Sequence, residues 1–224
     1  QNAPHESQRI DRLSVVAVPG EFEPATFLVC AKRNLPDVSV VASDVLCGDQ
    51  VIPQSNIDVR VVKVRRQPGD NVYFEPEHIM EVPELLLYDD SVLLKGRRPS
   101  IGPVKHVKTS IPKSTSKQFW VTVRVPESAK SGVYEGKIEL LVNGRKAASI
   151  QLDVHVLPFM LVKPNKDFLI YYNAKLDLEG GAEYEAWDDF EKQLINIREH
   201  GFTGPSICSS EKYLPKILKK YQEL

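Results

Sequence analysis

Between Gln118 and Pro158 the chain alternates apolar and polar residues with period two, turns once, and stops abruptly. Phe119, Val121, Val123 and Val125 alternate with Trp120, Thr122, Arg124 and Pro126; Ile138, Leu140 and Val142 repeat the pattern. Ile150, Leu152, Val154 and Val156 do so again, with Gln151, Asp153 and His155 on the opposite face. Such alternation is the signature of strands with one buried face. Asn143-Gly144 joins two of these runs, and both residue types tolerate the positive φ of a two-residue hairpin turn. A fold built here must therefore be a layered antiparallel sheet. After Leu157-Pro158 the pattern changes to strand–helix–strand–helix.

Earlier strand patterns are read at Leu13–Val18, Ala25–Arg33, Val38–Val45 and Ile57–Arg66, rich in Val, Ile and Phe and separated by Pro, Gly, Asn or Asp. Residues 67–117 hold six prolines and basic clusters such as Lys95-Gly96-Arg97-Arg98. Proline removes a ladder donor, so this stretch reads as a long irregular excursion with one edge strand. Seven or eight antiparallel strands favour a two-layer β-sandwich, Ig-like or jelly-roll-like, over residues 1–162.

Beyond it, Phe168–Tyr172 is a continuous apolar run, as a strand buried on both faces would be. Trp187, Phe190, Leu194 and Ile197 then fall on one helical face, ended by Gly201. A short strand, Phe202–Ile207, leads to a last helix carrying Leu214, Ile217, Leu218 and Tyr221. Residues 163–224 thus read as two βα units with parallel strands. Closing an eight-fold barrel takes about 200 residues more, so the chain is expected to be the N-terminal part of a longer protein. Two unaccompanied units leave apolar faces without a partner, an arrangement that favours self-association.

The formal net charge of -1 gives no footing for a nucleic-acid backbone or an anionic membrane. No apolar run approaches the roughly 20 residues of a membrane span. The small polar start Gln1-Asn2-Ala3-Pro4 is what a mature exported protein would present. Cys30, Cys47 and Cys208 are odd in number and scattered. In a hairpin of residues 23–33 with 38–47 about Asn34-Leu35-Pro36-Asp37, Cys30 and Cys47 are not cross-strand neighbours. They read as buried small side chains rather than as a disulfide. The five histidines show no metal-ligand spacing, so neither a structural zinc nor another cofactor is expected.

Four segments, in order, carry a resemblance: Pro19-Gly20-Glu21-Phe22-Glu23-Pro24-Ala25, Val82-Pro83-Glu84-Leu85-Leu86-Leu87-Tyr88-Asp89-Asp90, Gln118–Pro126, and Gly132-Val133-Tyr134-Glu135-Gly136. Together they resemble the sandwich domain that precedes the barrel in family-123 glycoside hydrolases and their bacterial relatives. His200-Gly201-Phe202-Thr203 resembles the end of the first barrel helix in such proteins. The resemblance implies a secreted or periplasmic carbohydrate-active protein with a sandwich in front of a (β/α)8 catalytic domain. In that family an adjacent Asp-Glu pair works with the substrate's own acetamido group, and the pair lies later in the barrel than this chain reaches. No position here inherits it.

Site residues in such barrels sit at the C-terminal ends of strands, which makes Tyr172 and Asn173 candidates for contacting a sugar ring and its hydroxyls. After the second strand the same reasoning reaches Cys208, Ser209 and Ser210, which have no identifiable His or acidic partner for a nucleophile. Asp89-Asp90 and Asp188-Asp189 are the adjacent carboxyl pairs weighed for glycosidic chemistry. The first reads as a turn or interdomain pair and the second as helix-dipole acids. Glu21 and Glu23, flanking a turn, are either calcium ligands or a solvated turn. Trp120 faces away from Phe119 and Val121 and is the candidate sugar platform on the sandwich, whereas Trp187 lies on an apolar helix face. The leading reading is a non-catalytic N-terminal portion of a glycoside hydrolase acting on bacterial or host glycans. A carbohydrate-binding or adhesion module, and a purely structural module, are its rivals.

Overall fold

The computed structural model describes residues 9–68, 79–91, 106–162, 165–172, 187–207 and 214–223. Two compact units divide the chain, Gln1–Leu161 and Val162–Leu224. In the first unit the strands are β1 (Arg12–Ala17), β2 (Phe22–Cys30), β3 (Leu35–Ala42), β4 (Val45–Cys47), β5 (Gln50–Ile52), β6 (Ile57–Pro68), β7 (Ile79–Leu87), β8 (Thr109–Ile111), β9 (Ser116–Arg124), β10 (Gly132–Val142) and β11 (Arg145–Val156).

Among the described residues these strands make two sheets. One has seven strands in the order β1-β11-β10-β3-β8, with β4 also paired to β10 and β5 to β4; the other has four, in the order β2-β9-β6-β7. The inward residues of both sheets interleave in one core. Leu152, Val154, Tyr134, Ile138, Val38 and Val40 come from the first sheet, and Phe119, Val121, Val123, Val59 and Val61 from the second. Phe119 is fully buried and stacks on Phe27, ring centroids 5.3 Å apart. The buried Tyr134 hydroxyl donates to the Lys130 carbonyl at 2.9 Å, so its polar end is satisfied.

Asn143 and Gly144 both have positive φ, +50° and +71°, and connect Val142 to its partner Arg145. This is the mirror-image turn whose twist matches the flanking strands. Glycine matters at Gly136 for a different reason. A Cβ there would sit 2.5 Å from Val45 Cγ1 and 2.7 Å from the Asp44 carbonyl oxygen, where β4 crosses beside β10.

Pairing departs from the sequence expectation in two places. The hairpin of residues 23–33 with 38–47 does not form, because β2 pairs with β9 while β3 pairs with β10 and β8 in the other sheet. Asn34 bridges the two instead, its Oδ1 accepting from Lys113 N at 2.8 Å. Cys30 is consequently exposed, 3.2 Å from Ser116 Oγ, and Cys47 is half-buried; both thiols are free. Cys208 lies outside the described residues. β1 runs parallel to β11, so the sandwich is mixed rather than wholly antiparallel. Arg12 reaches across that parallel pair to Asp153, an outward-facing carboxylate that is nonetheless only 1% exposed. As expected, the proline-rich stretch contains an edge strand, β7, nine residues long, whose Pro83 sits at a register shift against Lys63/Val64. An edge strand with a bulge is where a missing N–H is tolerated.

In the second unit, β12 (Leu169–Tyr172) pairs parallel with β13 (Gly204–Ile207), and helices α1 (Trp187–Glu199) and α2 (Leu214–Glu223) follow the two strands. Phe190, Leu194 and Ile217 form a small buried cluster against which Trp187 and Tyr221 pack. Trp187 is thus half-buried at the margin of this cluster, with Lys216 Nζ 3.9 Å from its ring centroid. Phe168 and Leu169 are exposed, Leu169 to 64%, contrary to a strand buried on both faces. The physical reason is local: β13 is the neighbour that β12 has among the described residues, and it offers no second layer over that end.

Three consequences are measurable by chemical denaturation. Gly144→Ala should destabilise by about 1 kcal/mol through backbone strain alone, since nothing lies near its added methyl. Gly136→Ala should cost more, about 1–3 kcal/mol, through overpacking against the Asp44 backbone. Arg12→Ala, which leaves the buried Asp153 carboxylate short of a donor, should cost about 1–3 kcal/mol.

Candidate functional site

The outward face of the four-stranded sheet is built by the same alternation that buries Phe119, Val121 and Val123. Trp120 and Thr122 point the other way, half-buried. Register places Trp120 opposite Thr26 on β2 and Arg60 on β6, and Thr122 opposite Pro24 and Asp58. Neighbouring strands lie about 4.8 Å apart, so Trp120 and Arg60 are adjacent on one surface.

Arg60 is the centre of a fixed polar cluster. Its Nε donates to Asp58 Oδ2 at 2.7 Å and its Nη2 to the Tyr88 hydroxyl at 3.3 Å. The Tyr88 hydroxyl in turn donates to Asp58 Oδ1 at 2.6 Å. The guanidinium carbon lies 4.3 Å from the Tyr88 ring centroid, a cation–π contact. Burial first, and then the bond to the Asp58 carboxylate, raise the Tyr88 pKa above its ordinary value, so the phenol stays a donor. At the far end of the face, Arg124 stacks over Phe22, 5.2 Å from its ring centroid.

A second feature is a depression of about 500 Å³ lined by Asp37, Asp89, Asp90, Ser91, Lys108, Thr109, Ser110 and Lys117. It contains the Asp89-Asp90 pair. Asp89 Oδ1 accepts from Ser91 N at 2.9 Å and Ser91 Oγ at 2.6 Å, and this bonding holds its carboxyl below the usual carboxylate range. Asp90 is buried and ion-paired with Lys117, while Lys63 Nζ donates to its carbonyl oxygen. The pair is therefore a charge-matched turn. A general acid needs a raised carboxyl pKa, and Asp89 is moved in the opposite direction.

Tyr172 ends β12, and Asn173, Ser209 and Ser210 lie outside the described residues. Asp188 opens α1 as an exposed residue. Glu21 closes a turn, its Oε2 accepting from Val18 N at 2.9 Å, and no cluster of three or more His, Cys, Asp or Glu suited to a metal occurs among the described residues. No described helix is long and apolar enough to cross a membrane. Asp58, Arg60 and Tyr88 were not singled out by sequence reasoning. The alternation that turns Trp120 outward gives Asp58 and Arg60 the same sense on β6, but nothing local pairs β6 with β9.

Comparison with known proteins bears on the first unit most. The family model for the glycoside hydrolase 123 N-terminal domain matches residues 1–142. Among solved structures, a family 123 glycoside hydrolase from Clostridium perfringens, studied for glycolipid glycan hydrolysis, is similar with a TM-score of 0.61 at 16% identity, over 87% of this chain and 32% of that one. The chain thus spans about a third of that enzyme's length. A PapD-like domain of human CEP192 matches with a TM-score of only 0.31 at 9% identity, over 68% of this chain and 84% of that one, too low to argue from. No curated protein sequence matches. With the family model covering most of the sandwich, the chain belongs to the family of glycoside hydrolase 123 N-terminal domains.

Proposed function

We propose that this chain is the non-catalytic N-terminal portion of a secreted or periplasmic glycoside hydrolase that acts on bacterial or host glycans. The observation that carries the reading is the family match over residues 1–142, which lies wholly within the sandwich. The sandwich then serves as a platform, and β12, α1, β13 and α2 are the first two units of a (β/α)8 barrel. Parallel pairing of β12 with β13 and the helix after each strand support that part. Export rests on the family resemblance.

Carboxylate geometry agrees with a non-catalytic role for the sandwich. Glycosidases place two carboxyl groups about 5–9.5 Å apart across a bond to be cleaved, one of them kept protonated. Asp89 and Asp90 are held in a turn and an ion pair, and Asp58 is bound by Arg60 and Tyr88. Substrate contact from this chain falls to Tyr172 and Asn173, at the end of the first barrel strand where such sites are built. Trp120 contributes on the sandwich.

A second reading, a carbohydrate-binding or adhesion module, is favoured by the aromatic and polar face around Trp120. Exposure of Leu214 and Leu218 on α2 favours self-association when the two βα units stand alone.

The encoding reading frame is the first thing to determine. It should continue past Leu224 by about 200 residues. Residues 1–224 should release no nitrophenol from a nitrophenyl N-acetyl-β-hexosaminide, while the longer protein does. In the longer protein, Asn173→Ala and Tyr172→Ala should each lower kcat/KM about tenfold, through loss of one substrate hydrogen bond and of the ring contact respectively. Turnover by residues 1–224 alone, or a stop codon after Leu224, overturns the reading.

A further inference from the structure

The outward face of the four-stranded sheet carries more chemistry than a structural platform needs. Asp58 and Arg60 have side chains 39% and 36% exposed, so their pairing adds little stability. What the pairing does is fix direction. Arg60 is held by three contacts at once, two hydrogen bonds and the Tyr88 ring, and its planar group is presented rigidly beside the Trp120 position. Of the five N–H donors of a guanidinium, two are used among the described residues. Each Asp58 oxygen accepts one bond there and keeps a further lone pair.

From this geometry we infer that the outward face of the four-stranded sheet is a binding site for a neutral glycan. Trp120 carries a pyranose ring, and the Arg60–Asp58 pair is the fork that reads its hydroxyls. A pyranose has an apolar C–H face and a rim of hydroxyl groups that both donate and accept. A half-buried indole beside a preorganised donor–acceptor pair matches both parts at once. The Arg60 and Asp58 charges cancel, so the pair offers no net field to a carboxylated or sulfated sugar. Around it, Thr26, Thr122 and Gln118 supply further neutral hydrogen-bonding groups on the same face. A protein partner fits less well, since interface cores are depleted of Asp and docking would have to desolvate this half-exposed ion pair. The inference rests on reading the chain as carbohydrate-active, but it does not require that the chain be part of an enzyme.

The test is calorimetric titration of the whole 224-residue chain with cellotetraose, with chitotetraose, and with a heparin-derived tetrasaccharide as the anionic contrast. Saturable binding of at least one neutral tetramer, with weaker or no binding of the heparin fragment, is expected. Trp120→Ala and Arg60→Ala should each weaken it tenfold or more. Trp187→Phe, in the other unit, should leave it unchanged. Because a half-buried tryptophan also packs, Arg60→Lys and Tyr88→Phe are run beside it, with thermal melts to confirm folding. Arg60→Lys keeps the charge but loses the fork, and should weaken binding several-fold at wild-type stability. Four outcomes overturn the inference: no heat with either neutral tetramer, binding unmoved in folded Trp120 and Arg60 variants, preference for the heparin fragment, or a dimer that Trp120→Ala dissolves. Absence of binding while the longer protein still hydrolyses its substrate sinks this inference and leaves the proposed function standing. Binding without any hydrolysis by the longer protein does the reverse.

Discussion

Everything in the sandwich depends on the register between β10 and β11, set by the Asn143-Gly144 turn together with the bulge between Leu140 and Leu141. The two central residues take positive φ, and their neighbours Val142 and Arg145 pair directly. Because side chains alternate along a strand, a slip of one residue would move a whole set of side chains to the other face. A slip of β11 would turn Leu152, Val154 and Val156 to solvent, and a slip of β10 would do the same to Tyr134, Ile138 and Leu140 while bringing Glu135, Lys137 and Glu139 inward. Burial of apolar side chains at about 1.5–3 kcal/mol each makes that alternative untenable, so the turn and the core enforce each other. β1 and β3 then add to either side of this ribbon, and β4 crosses where Gly136 leaves room.

Fixing the inside also fixes the outside, and the two sheets use their outer faces differently. On the seven-strand sheet, Asp153 is shut away beneath Arg12, with Gln151 Nε2 donating to its Oδ1 at 3.0 Å. A carboxylate that buried, with both oxygens engaged, holds the parallel strand β1 in place and can meet no solute. On the four-strand sheet, the Asp58–Arg60–Tyr88 cluster has the same chemical parts but stays open to solvent. The difference is exposure: one carboxylate is shut away and the other is reachable from solvent. An exposed ion pair contributes little to stability, and its ordered geometry is the feature on which the proposed glycan site rests.

Much of this was legible residue by residue. The alternating runs at 119–125, 138–142 and 150–156 became β9, β10 and β11, and the helical face of Phe190, Leu194 and Ile197 is the buried face of α1. Partnership between distant strands was not legible. Nothing near Phe22–Cys30 says that it pairs with Ser116–Arg124 instead of with the next strand in sequence, and that choice exposes Cys30. Likewise the parallel seating of β1 is encoded in Arg12 and Asp153, which stand 141 positions apart. The candidate site divides in the same way. Trp120 could be turned outward from its own strand's pattern. Asp58 and Tyr88 needed the β6 pairings, which are long-range and cost loop-closure entropy before they yield contact.

The second unit follows a different rule. Two parallel strands need a connection long enough to return the chain, and the stretch with α1 between β12 and β13 provides it. The buried cluster of Phe190, Leu194 and Ile217 is small, and Leu169, Leu214 and Leu218 stay exposed around it. Among the described residues two strands alone would bury too little apolar surface to be stable, and it is packing against the helices that gives this unit its cluster. The first unit has no such deficit, since its two sheets cover each other's apolar faces. The asymmetry is one of packing: the two sheets of the first unit cover each other, whereas the described residues of the second unit offer one parallel strand pair and a small buried cluster.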